Sequence, residues 1–288
     1  MLDSPSFDPH RFQDAAAHYR SGRIPYPPSL IRRVAELVGL GEDCRVLDLG
    51  CGPGQLAIGL GYFAGDVIGV DPEPRMLAVA AEAARGLTSN VSFRRGSSFD
   101  LDSTLGQFRL VTMGRSFHWM DRADTLRRLN EIIETGGAIA LFGDRHIEVP
   151  ENKWHTEWRA ITERYARDDA AKGSRRSGSW LSHESVLLNS PFCRLERISF
   201  VAQQVSPIDS LIERAQSMSS LSRERIREGA NQLTRDLRAL LASVAAAGTV
   251  TEVVECSALI ARRSRPASSA RSRGNNPEHG RLATGCPG

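Results

Sequence analysis

The sequence predicts an α/β protein built on a mostly parallel, seven-stranded sheet flanked by helices. Two observations carry this. Short apolar runs alternate along the first half of the chain with segments of helical period, the βαβ pattern of a parallel sheet. One of those runs, Arg45–Leu49, passes directly into a glycine-rich turn and then into a helical segment. The 288 residues, 41% hydrophobic and 25% charged, supply the apolar surface that such a core needs.

Taken in order, the first element is a helix at Pro28–Val38, with its paired prolines at a helix start, where they are tolerated. A short helix at Arg11–Tyr19 is expected before it, laid over the site. Strands follow at Arg45–Leu49, Val67–Val70, Val91–Arg94, Leu110–Met113 and Ala138–Phe142, with helices between them at Gln55–Phe63, Glu73–Arg85 and Arg122–Glu134. After Asp144 the rhythm changes. A tryptophan-containing helix, Trp154–Arg167, and a polar loop over 171–178 lead to two further strands, Leu195–Val205 and Val250–Ala261, separated by a helical stretch from Ile208 to Ala247. The domain therefore spans residues 1–263, with cap insertions at about 144–190 and 206–247.

Residues 264–288 contain four arginines, one acid and no aromatic residue. They cannot bury enough apolar surface to offset the entropy of ordering, and a disordered basic tail is expected. They also carry the whole formal charge of +3, which leaves residues 1–263 neutral and removes the basic face that a nucleic-acid partner would require. The five cysteines are scattered without metal-ligand or disulfide spacing, so neither a metal site nor a cystine framework is expected. No apolar run reaches the roughly 18 residues of a membrane span, and the first residues lack the pattern of a secretory signal. These readings point to a cytoplasmic protein.

The chemistry centres on Asp48-Leu49-Gly50-Cys51-Gly52-Pro53-Gly54-Gln55. Three glycines permit positive φ and close backbone approach to a ligand, and the following helix offers free N–H groups. The spacing is G-x-G-x-G, whereas the dinucleotide fingerprint is G-x-G-x-x-G. Asp48 suits a ligand with a cationic amino-acid end better than a pyrophosphate. This segment resembles motif I of the class I S-adenosylmethionine (SAM)-dependent methyltransferases, and the likeness extends over about residues 10–263. It implies the Rossmann-like methyltransferase fold, with SAM as cofactor and S-adenosylhomocysteine (SAH) as product.

The resemblance assigns further residues. Asp71 lies 21 residues after Gly50, near the interval at which an acid meets a ribose, though it also precedes a helix start and suits an N-cap. Met76 would pack near the adenosine, and Ser97, Ser98 and Phe99 would meet the adenine edge. Gly114 would lie near the methionine portion. In the N-terminal segment, Tyr19 would line the pocket and Arg23 would pair with the methionine carboxylate. Cys51 is expected to be a small filler within the cofactor turn rather than a nucleophile.

Met113-Gly114-Arg115-Ser116-Phe117-His118-Trp119 lacks the Asn/Asp-Pro-Pro-Tyr/Phe box of base-amine methyltransferases and resembles small-molecule methyltransferases instead. His118 is the candidate general base. Gln216–Ser220 resembles a segment facing the substrate, and Trp154, Trp158 and Trp180 either line an apolar pocket or hold the cap down. The expected function is methyl transfer to an O, N or C atom of a small molecule, without nucleic-acid or membrane partners. A SAM-binding regulator without transfer activity and a nicotinamide-dependent oxidoreductase are the alternatives.

Overall fold

The computed structural model describes residues 22–167, 180–221 and 223–264. Tyr19, the helix expected at 11–19, the loop over 171–178 and the tail beyond Ser264 lie outside the described residues.

Seven strands form one sheet: β1 (Arg45–Leu49), β2 (Asp66–Asp71), β3 (Val91–Arg95), β4 (Phe108–Gly114), β5 (Ile133–His146), β6 (Arg194–Pro207) and β7 (Thr249–Arg262), in the order β3-β2-β1-β4-β5-β7-β6. The first five are mutually parallel. β7 inserts between β5 and β6 and runs antiparallel to both, so the sheet is mixed. Strand order reverses between β1 and β4. In open α/β sheets the crevice outside the carboxyl ends of such a pair is where ligands bind.

Alternation along the strands divides the core in two. Val46, Val67, Leu110, Ala138 and Ala140 share one face with the buried residues of α1 (Pro28–Val38) and α2 (Gln55–Leu60). Leu47, Leu49, Val111, Met113 and Ile139 share the other with Leu126, Leu129 and Ile132 of α4 (Arg122–Ile132). Between them in sequence, α3 (Pro74–Ala84) contacts β2 and β3. The prolines and glycines act as punctuation. Pro28 opens α1, and Gly39, at φ 69°, closes it by letting the Leu40 N–H reach the Ala35 carbonyl at 2.9 Å.

A third apolar cluster holds the cap. Trp154, Trp158 and Ile161 of α5 (Lys153–Tyr165) pack with Leu211 and Ile212 of α7 (Ile208–Gln216) and with Leu233, Leu237 and Leu241 of α9 (Gly229–Val244). α6 (His183–Leu188) was not anticipated, and the single helix expected over 208–247 is three: α7, the short α8 (Arg223–Ile226) and α9. The breaks fall at Ser217–Ser220 and at Arg227, whose φ is 43°. Serine-rich and positive-φ backbone interrupts a hydrophobic period that by itself reads as continuous.

Candidate active site

A cavity of about 900 Å³ opens at the carboxyl ends of β1 and β4, between the sheet and the cap. Gly50, Gly52, Asp71, Met76, Ser97, Ser98, Phe99, Gly114, Arg23 and His118 all line it. Ten of the residues singled out from the sequence therefore share one space, although they come from five separate segments of the chain.

The turn after β1 is hung on β2. The Gly50 and Cys51 N–H groups donate to the Val70 carbonyl at 2.7 and 3.0 Å. Gly50 has φ 70°, and a Cβ there would stand 2.5 Å from the Ser116 Cβ, so this position requires glycine for conformation and for space. Ser116 in turn donates its hydroxyl to the Leu49 carbonyl at 2.8 Å, tying the segment after β4 to the turn.

Four residues of the turn counted with the cofactor site, Asp48, Cys51, Gly54 and Gln55, are not among those that line the cavity. Strand alternation puts Asp48 on the same face as Val46, beneath the turn, where it is 1% exposed. Its carboxylate accepts from the Ala57 N–H at 3.2 Å and the Thr112 hydroxyl at 2.8 Å. It thereby serves one of the orphan N–H groups of α2, whose N-cap, Gly54, has no side chain to offer. Burial, only partly offset by these hydrogen bonds, pushes its pKa up to about 7. Cys51 is buried, and burial followed by the charges of Asp48 and Asp71 raises its thiol pKa well above the ordinary value. It is a filler and not a nucleophile. Gly54 packs under β3, with a Cβ position 2.9 Å from the Phe93 ring, and Gln55 begins α2 away from the cavity wall.

Asp71 ends β2 at the cavity edge. Its two oxygens accept from the Gly52 N–H at 2.8 Å and the Glu73 N–H at 2.9 Å. It is not the N-cap of α3; Glu73 is, accepting from Arg75 N–H at 3.0 Å. Asp71 thus locks the glycine turn to the end of β2 with lone pairs to spare for a ligand. Ser97 takes part in a capping box with Asp100: its hydroxyl donates to the Asp100 carboxylate at 2.8 Å and accepts from Phe99 N–H at 3.3 Å. Asp100, three residues on, also accepts from the Ser97 N–H at 2.7 Å and so orders the Ser97–Phe99 backbone.

Arg115 was missed by sequence reasoning. It follows Gly114 with φ 55°, a strained conformation for a side chain of its size. Its guanidinium pairs with Asp144 at the end of β5, donates to the Ile24 carbonyl at 2.6 Å and lies 4.3 Å over the Tyr26 ring. One residue joins β4, β5 and the N-terminal segment. A charged residue immediately after the motif glycine was the available signal.

All four histidines among the described residues, His118, His146, His155 and His183, line the cavity. His118 sits in a short 3-10 turn with its ring 4.6 Å from that of Trp119 and 6.4 Å from that of His183. Burial, followed by the neighbouring charge of His146, lowers His155 to about 4, so it is neutral at physiological pH. Of the tryptophans, Trp158 lines the cavity from within the cap core, Trp154 holds the cap by donating to the Thr251 carbonyl at 3.2 Å, and Trp180 stacks 3.7 Å under Arg122. In the Gln216–Ser220 segment, Met218 and Ser220 line the cavity.

Residues 46–137 match the family model of a methyltransferase domain. The matched span runs from β1 into the first part of β5 and contains the glycine turn, Asp71, Ser97–Phe99, Gly114 and His118. This stretch of the chain is therefore similar to a methyltransferase domain. Over 130 residues it is 26% identical to a protein of Saccharomyces cerevisiae named "Probable S-adenosylmethionine-dependent methyltransferase", covering 44% of each chain. It is 31% identical to an uncharacterized methyltransferase of Mycobacterium bovis over 130 residues, covering 45% of this chain and 50% of the relative. The chain spans about half the length of these curated relatives. In fold, the chain is similar to a SAM-dependent methyltransferase of Geobacter sulfurreducens solved in complex with SAH. That likeness has TM-score 0.51 and 17% identity, and covers 92% of this chain and all of that one.

Proposed function

We propose that this protein transfers a methyl group to an O, N or C atom of a small organic acceptor. The observation that carries the reading is the single cavity in which the glycine turn, Asp71 and Ser97–Phe99 are continuous with Gly114 and His118. Its volume of about 900 Å³ is at the upper end of small-molecule sites, room for a cofactor and an acceptor together. The donor set suits SAM. Asp71 offers carboxylate lone pairs to the ribose hydroxyls, Met76 an apolar wall to the adenosine, Ser97–Phe99 backbone groups to the adenine edge, and Arg23 a cation to the methionine carboxylate. Bound SAM supplies an electrophilic methyl on a sulfonium, open to direct displacement by the acceptor.

The protein's share is positioning and the exclusion of water. Gly114 and the Arg115-braced segment fix the floor beneath the reacting centre. His118, at the junction of the cofactor half and the histidine- and tryptophan-lined half, takes the proton that a hydroxyl or ammonium acceptor releases. The paired charges of the wall, Arg115 with Asp144, Arg197 with Glu184 and Arg214 with Glu252, suit an acceptor of low charge over a polyanion.

The test is incubation of the purified protein with SAM and a metabolite panel, read by mass spectrometry. The expected result is a product heavier than its acceptor by one CH₂, with SAH formed in equal amount. SAH binding with no methylated product across the panel would favour a SAM-binding regulator.

A further inference from the structure

The cap has its own apolar core, and α7 is also joined to β7 by a buried ion pair, Arg214 with Glu252. Glu252 on β7 is 0% exposed, and five donor atoms converge on it. Arg214 Nη1 and Nη2 donate at 2.7 and 3.0 Å, Gln204 Nε2 at 2.8 Å, and the Ser206 hydroxyl donates as well; His146 Nε2 lies 2.6 Å away. Burial alone would raise the Glu252 pKa, but these hydrogen bonds hold it far below the ordinary carboxylate range. A buried pair of this kind adds little net stability compared with apolar packing, and one attested use of it is to fix a single arrangement.

What the pair fixes is visible at its third donor. Arg214 Nε donates to the Gly22 carbonyl at 2.9 Å. The backbone of Gly22 lies so close to α7 that a Cβ would stand 2.7 Å from the Arg214 nitrogen and from the Glu213 carbonyl carbon. The next residue, Arg23, donates from Nη2 to the Ser217 carbonyl at 3.2 Å, just after α7, and lines the cavity. The chain then continues through Ile24, whose carbonyl is held by Arg115 at 2.6 Å.

We propose that Glu252 and Arg214 are positioning residues for the cofactor: they fix α7 as a template on which Gly22 docks, and so set Arg23 over the methionine end of SAM. This rests on the methyltransferase reading above and gives the 206–247 insertion a role besides lining the acceptor space. The glycine at position 22 is part of the device, because any side chain there pushes the strap off α7 while the Arg214–Glu252 pair stays intact.

The experiment is a double-mutant cycle on the full chain, with SAH affinity measured by titration calorimetry and folding checked by thermal unfolding. Gly22→Ala and Arg23→Ala are each expected to weaken SAH by about tenfold, the scale of one charge-assisted contact, and the double variant by about tenfold in total and not a hundredfold. Glu252→Gln, if it folds, weakens SAH in the same non-additive way with Arg23→Ala, and with acceptor in hand raises KM for SAM more than it lowers kcat. Additive effects, or wild-type SAH affinity in Gly22→Ala alongside weakened binding in Arg23→Ala, would overturn the proposal and leave the methyltransferase reading standing. Failure of the wild-type protein to bind SAH would overturn that reading itself.

Discussion

At the scale of single residues, the contrast between Asp48 and Asp71 is the most informative. Both are aspartates at the ends of parallel strands and both flank the glycine turn, yet only Asp71 reaches the cavity. Asp48 is a buried brace whose pKa of about 7 exceeds the roughly 3.9 of an unfolded chain. A carboxyl whose folded pKa is raised favours the folded state in its protonated form, so its contribution to stability is full below about pH 4 and is lost as pH rises through about 7. Asp48→Asn removes this titration. The difference in urea-unfolding free energy between wild type and Asp48→Asn is expected to change between pH 5 and pH 8 in wild type's disfavour at the higher pH; a difference that does not vary with pH would refute the assignment. Asp71→Asn keeps an acceptor for one backbone N–H but loses the charged partner for a ribose, and SAH affinity is expected to fall by about 10- to 100-fold. His118→Ala is expected to leave SAH affinity within about twofold and to lower kcat by about 100-fold on a hydroxyl acceptor, the usual worth of a general base. Equal kcat in both proteins would assign the rate to positioning alone.

At the scale of elements, the turns and close approaches matter more than the helices and strands they join. α2 starts at Gly54, which has φ 82° and no room for a side chain beneath Phe93. Gly54→Ala combines backbone strain with overpacking and is expected to cost about 2 kcal/mol of unfolding free energy, read from urea titration. The sequence made the strands legible because their apolar runs are short and bounded, and six of the seven are found within two residues of their expected limits at each end. β5 is the exception: it begins at Ile133, five residues early, where Gly136 and Gly137 hide the strand pattern before Ala138, and it ends at His146, four residues late. Helix breaks in the cap were not legible, since Leu211, Leu221, Leu233 and Leu237 continue one apolar face across backbone that turns.

At the scale of the whole molecule, a parallel half and an antiparallel, capped half line the two sides of one cavity; in the proposed reading the first holds the cofactor and the second the acceptor and the strap's anchor. The first side of the cavity could be read from sequence because its lining residues sit at fixed offsets after successive strands: Gly50 and Gly52 after β1, Asp71 at the end of β2, Ser97 after β3, Gly114 at the end of β4. The other wall could not. Arg214, Glu252, His146 and Gly22 are brought together over sequence separations of 38, 106 and 192 residues, and no local pattern records that pairing. Nor does local pattern show that Arg115 serves three elements at once. The central claim is that the cavity between these two halves is a SAM site. Titration calorimetry of the purified chain with SAH, and separately with NAD, tests it most directly. Saturable one-to-one binding of SAH with no heat from NAD is the predicted result; binding of NAD without SAH would contradict it.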